Sequence, residues 1–198
     1  YQIYTHKLIL SYLFGALPQA QEYAVLVRKY LSGGDGFAMT PLFYCYDSLV
    51  ALETQSTGEN LAAENSTEIA QVEARVNANQ TKLKHWADHA PINYQHKFDL
   101  VEAERCRVAK APYQAMVLYD QAITGATAHS YLQEAALANE LAAQFYLAWG
   151  KAKIAAGYLQ EAYYSYARWG AKAKVVHLEQ HYPQLLGFAT AEAHRITI

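Results

Sequence analysis

The sequence predicts an all-α protein, and three observations carry that reading. Alanine is abundant and tyrosine numbers 17, whereas Val and Ile are sparse. Alanine is the best helix former, and small side chains let helices approach closely. No stretch sustains the apolar–polar alternation of a strand bounded by hairpin turns. All five prolines, Pro18, Pro41, Pro91, Pro112 and Pro183, fall where helices should begin. Proline is tolerated in the first helical turn because its missing N–H has no intrahelical partner there.

Taken in order, the pattern predicts helices over 2–14, 18–31, 39–55, 67–90, 94–109, 112–127, 131–151, 152–169 and 171–182. Glycines at 15, 33, 34, 36, 125, 150, 157, 170 and 187 mostly fall at or near proposed helix ends, where a left-handed residue commonly closes the last turn. "GGDGF" (33–37) is a turn; no GK[ST] follows it, so a phosphate cradle is not the preferred reading. The polar "TQSTGENLAAENST" (54–67) is the best candidate for a mobile loop. The expected organisation is one helical repeat module over 1–186, then a tail or linker over 187–198. A start at Tyr1, already helical in pattern, suggests a piece of a longer polypeptide.

Bulk properties narrow the function classes. An apolar fraction of 53% excludes disorder as the overall state, and a net charge of -2 gives no reason to expect nucleic acid or a membrane surface. No apolar run approaches the roughly 20 residues that span a bilayer. Neither an export signal nor a CxxC pattern is present. Cys45 and Cys106 therefore read as free thiols of a reducing, cytoplasmic compartment.

An internal repeat is the most informative feature. "LFGALPQAQEYAVLV" (from 13), "VAKAPYQAMVLYDQA" (from 108) and "AAGYLQEAYYSYARW" (from 155) align. Gly15, Lys110 and Gly157 are each followed five positions later by Ala20, Ala115 and Ala162. Ala24, Tyr119 and Tyr166 stand at +4, and Val27, Ala122 and Trp169 at +7. This is the second-helix pattern of tetratricopeptide repeats. Spacings of 95 and 47 residues exceed the ~34 of that repeat, so an irregular α-α superhelix of about nine helices is expected. A non-repeating helical bundle is the alternative.

The sharpest candidate chemistry is "KHWADHAPINYQHK" (84–97), with His85, His89 and His96. His85 and His89 are i, i+4 and share a helix face, as metal-binding pairs do. The catalytic glutamate of HExxH is absent, and a closed zinc site wants a fourth ligand. Leu83, Trp86, Ala87 and Ala90 form the core stripe, and Pro91 forces a corner. Histidines at a helix C-terminus are also favoured by its dipole, so the corner is read as structural and no metal or cofactor is expected.

Asp99, Glu102, Glu104, Arg105 and Arg107 read as a salt-linked exposed face rather than an acid–base site. The rings of "FYLAWG" (145–150) and "YYSYARW" (163–169) read as packing, with a peptide groove as the alternative. "AKAKVVHLEQHYPQ" (171–184) reads as a capping helix with a basic, mostly solvated first turn.

The runs "YLSGGDGFAMTPLFYCYDSLVAL" (30–52), "LKHWADHAPINYQHKFDLVEAERCRV" (83–108) and "ALANELAAQFYLAWGKAKIAAGYLQEAYYSYARWGAKAKVVHLEQHYPQLL" (136–186) carry a resemblance. They resemble part of very large signalling proteins best known in cyanobacteria. Those chains join a serine/threonine-kinase-like domain, an AAA/STAND-type ATPase, a helical repeat region, a GAF sensor and a histidine kinase. The resemblance implies the C-terminal part of the helical region, with none of the catalytic motifs. It implies a non-catalytic, cytoplasmic scaffold with protein partners, either domains of its own chain or an effector. A stand-alone tetratricopeptide-like peptide-binding adaptor is the alternative.

Overall fold

Left-handed residues set the helix ends along much of this chain. The computed structural model describes residues 1–31, 39–57 and 66–187. These residues form nine α-helices and no strand: α1 (Gln2–Leu13), α2 (Leu17–Lys29), α3 (Met39–Thr57), α4 (Ser66–His89), α5 (Pro91–Val108), α6 (Pro112–Ala128), α7 (Leu132–Ala148), α8 (Ala152–Trp169) and α9 (Lys172–His181). A further short stretch of helix covers 183–187. The all-α class and the order of helices are as the sequence predicts. "GGDGF", most of the 54–67 loop and the tail over 188–198 lie outside the described residues, and 54–57 continue α3.

Gly15, Lys110, Ser130, Gly150 and Gly170 have φ of 71, 57, 62, 74 and 87°. After each one the next amide reaches back five residues, as in Ala16 to Ser11 (2.8 Å), Ala111 to Cys106 (2.9 Å) and Tyr131 to Ala126 (2.9 Å). Lys151 to Tyr146 (2.8 Å) and Ala171 to Tyr166 (3.0 Å) complete the set. This is the Schellman closure, which satisfies carbonyls that the helix end would leave orphaned. From Lys110 to Gly170 the corners recur every twenty residues, at 110, 130, 150 and 170.

That step corrects the register of the third repeat. Gly157 is not a helix end; it lies inside α8, and the corner is Gly150. Counted from Gly150, the stripe is Ala155, Leu159 and Ala162, all fully buried. It matches Ala20, Ala24 and Val27 after Gly15, and Ala115, Tyr119 and Ala122 after Lys110. Trp169, expected in the stripe, is 46% exposed.

The helices divide into two compact units at Leu118 and Tyr119, inside α6. In the first, α3 packs against α1, α2, α4 and α5, around Leu8, Val27, Phe43, Leu49, Leu83 and Val101. Burying one such side chain contributes about 1.5–3 kcal/mol. In the second, α7 packs on α8 and α8 on α9. Twelve residues of α7, on all its sides, are buried, so this helix is the unit's core element.

Candidate functional site

Begin with the histidine corner. His85 and His89 are exposed, with ring centroids 4.6 Å apart and planes tilted by 54°. His89 Nδ1 donates to the His85 carbonyl at 2.8 Å, which caps the end of α4 and fixes that ring. His96 turns inward on α5 instead: it is 3% exposed, and its Nε2 lies 2.9 Å from Lys97 Nζ. Lys97 also donates to the Asn93 carbonyl at 2.9 Å. Among the described residues no group of three His, Cys, Asp or Glu side chains is placed to hold a metal ion. Leu83 and Ala87 are buried and Trp86 is half-buried, its ring tilted against those of Tyr44 and Tyr94. The stripe, not the histidines, positions this corner.

The carboxylates of α5 depart from the solvated face expected for them. Glu104 is 1% exposed and ion-paired with Arg107 at 2.7 Å; Arg107 also reaches Glu53 of α3 at 2.8 Å. Burial, then Glu104, pushes the Tyr12 hydroxyl well up. Asp99 is 7% exposed, and burial pushes its carboxyl up against the hydrogen bond from Gln95. Glu102 binds Arg105 and Gln80. Each carboxylate named here is tied by a salt bridge or hydrogen bond between or within helices, so the cluster is structural glue. Cys45 is buried, Cys106 half-buried, and both are free thiols.

The basic start of α9 is likewise not all solvated. Lys174 is 3% exposed and pairs with Glu140 of α7 at 2.8 Å, while Tyr166 of α8 donates to the same carboxylate at 2.9 Å. Lys174 Nζ also lies 5.7 Å from the centre of the Tyr166 ring. One buried carboxylate thereby joins three helices.

The second unit also contains a groove of about 1000 Å³. Its walls are α6, through Ile123, Thr124, Thr127 and Ala128, and α8, through Ile154, Gly157, Tyr158, Glu161, Ser165 and Arg168. Leu132, Ala135 and Asn139 of α7 form the floor. The space exists because small residues sit where the helices face it: a Cβ added at Gly157 would meet nothing within 4 Å. Tyr158 holds the wall in place. Its hydroxyl donates to Asp120 at 2.6 Å, and its ring stacks on Tyr146 at 5.1 Å. Burial, reinforced by Asp120, drives this hydroxyl far above the usual phenol range, so it keeps its proton. Glu161 and Arg168 place opposite charges seven residues apart along α8. The groove therefore offers apolar surface, hydroxyls, the amides of Asn139 and Gln160, and charges of both signs, without an evident acid–base pair.

Sequence reasoning missed this groove, apart from the suggestion that some rings line one. The misplaced third corner hid it, because Gly157 reads as a helix end in the sequence and not as a residue inside α8.

An all-helical protein with a mixed apolar and polar groove is the class this geometry defines. No family model matches the chain, and no solved structure matches it. A stretch of 58 residues, 29% of this chain, is 43% identical to part of hybrid signal transduction histidine kinase G of Dictyostelium discoideum. The matched stretch is 2% of that protein's length. Among the described residues no helix is long and apolar enough to cross a membrane.

Proposed function

We propose that the chain is a non-catalytic helical repeat module of a multidomain signalling protein, holding other parts of that protein through its groove. The α6–α8 groove is the observation that carries this reading. At about 1000 Å³ it stands at the upper end of ligand-pocket volumes, too large for an ion and suited to a chain segment. Its occupant is an extended segment of the same signalling chain with small apolar side chains. Glu161 and Arg168 set the direction in which that segment lies. The short similarity to a signal-transduction histidine kinase supports the context. In the fuller version an upstream ATPase changes these contacts and a downstream sensor and kinase read them, a coupling free energy between sites.

The test is a pull-down of this module against each remaining domain of its own full-length chain. One domain should be retained, and a Glu161→Lys, Arg168→Glu charge swap should release it. Failure of every domain to bind would sink the reading. Capture of an unrelated peptide alone would favour the stand-alone adaptor, which the same groove supports.

A further inference from the structure

The first unit holds a second cavity, of about 360 Å³, bounded by α2, α3 and α4. Arg28 of α2 and Arg75 of α4 both line it. Behind them Asp47 of α3 is buried, its side chain 1% exposed. One of its oxygens takes a hydrogen bond from Arg28. The other accepts from Asn79 at 2.9 Å and lies 3.8 Å from Arg75 Nε, beyond hydrogen-bond reach. Arg75 Nε is buried with no hydrogen-bond acceptor. Two guanidinium groups thus share one carboxylate, which accepts hydrogen bonds from Arg28 and Asn79. Burial lowers the pKa of Arg75, with Arg28 adding to the effect and Asp47 opposing it.

A guanidinium is a planar fork of donors that matches oxyanions in bidentate fashion. The rest of the wall suits a small organic acid: Val25, Val50 and Val72 are apolar, and the Gln21 amide and Thr54 hydroxyl are already joined at 2.7 Å. One lining group opposes an anion. Glu68 stands seven residues before Arg75 on α4, about 10 Å along the axis.

We propose that this cavity is an oxyanion site, in which Arg28 and Arg75 receive the carboxylate or phosphate of a small ligand. Asp47 is the positioning group behind the arginines, and Asn79 in turn holds Asp47. The site is independent of the α6–α8 groove.

The experiment titrates the protein with inorganic phosphate and, separately, with isobutyrate. Sodium chloride at matched ionic strength is the control, and thermal midpoint and arginine Nε–H NMR shifts are followed. Saturable stabilisation is expected, with the Arg75 resonance moving. A preference for phosphate assigns a phosphorylated ligand, and a preference for isobutyrate an organic acid. Arg75→Gln should weaken binding about tenfold or more, and Glu68→Gln should strengthen it. Gln71→Glu, which leaves Arg28, Asp47 and Asn79 intact, provides a second arm by placing a carboxylate one turn from Arg75; it should abolish binding. No saturable response to either anion, or binding unchanged in both Arg75→Gln and Gln71→Glu, would overturn the proposal.

Discussion

Glu140 illustrates how single residues govern this molecule. Its carboxylate accepts from Lys174 at 2.8 Å and from Tyr166 at 2.9 Å, both within the core. Desolvating such a pair costs about as much as its attraction returns, so the pair adds little net stability. Removing one member is another matter. Glu140→Ala strands a buried ammonium and a buried hydroxyl, with an expected loss of about 3–5 kcal/mol in urea unfolding. The double variant Glu140→Leu, Lys174→Met should lose far less; an equal loss in the two would show that packing, not charge, is at stake.

His177, one turn after Lys174, gives the pH dependence. Burial, then the charges of Lys174 and His181, lowers its pKa to about 4 from an ordinary 6.5. The unfolded chain therefore binds a proton on this ring between those values and the folded chain does not. Stability from this group is complete above pH 6.5 and falls as the pH drops towards 4. The urea midpoint of His177→Gln should depend less on pH than the wild type over this window. Parallel pH profiles would refute the assignment.

At the scale of elements, the corners decide how much could be read in advance. Gly15, Gly150 and Gly170 announce left-handed helix ends, and proline marks the following starts at 18, 91 and 112, so these boundaries were legible. Lys110 and Ser130 occupy the same backbone region without glycine, yet the helix boundaries expected at 109/112 and 127/131 fall on them. Gly157 aligns with Gly15 and Lys110 in the sequence although Gly150 already stands at a helix end, and that seven-residue shift obscured the twenty-residue step. The charged positions were illegible for a related reason. Glu104 and Lys174 look solvated until their partners on other helices are known.

The two corners without glycine also predict a stability gain. A non-glycine residue in the left-handed region costs about 1 kcal/mol. Lys110→Gly and Ser130→Gly should each raise ΔG of unfolding by about 0.5–1 kcal/mol. Gly170→Ala, at a φ of 87°, should lower it by a similar amount. Since a Cβ there meets nothing within 4 Å, the backbone alone is responsible. Thermal midpoints that fail to move in opposite directions would refute this account.

For the molecule as a whole, the most conspicuous residues and those that line the proposed groove are different sets. The three histidines are the densest cluster of chemistry in the sequence, yet His89 caps a helix and His96 is buried beside Lys97. The groove is made by what is missing, at Gly157, Ala128 and Ala135, and small residues carry no signature of their own. This separates stability from binding in one variant. Gly157→Leu places its Cβ where nothing lies within 4 Å, and it gains about 0.8 kcal/mol in helix propensity. The leucine side chain then fills the middle of the groove, where the partner segment would lie. The expected result is a protein with a higher thermal midpoint that no longer retains its partner domain, with affinity reduced about tenfold or more. Gly157→Ala, with a single added methyl, should share the stabilisation and keep most of the binding. If Gly157→Leu is stabilised and still binds at full strength, the contact surface lies elsewhere on the molecule and the groove is only a packing consequence of small residues.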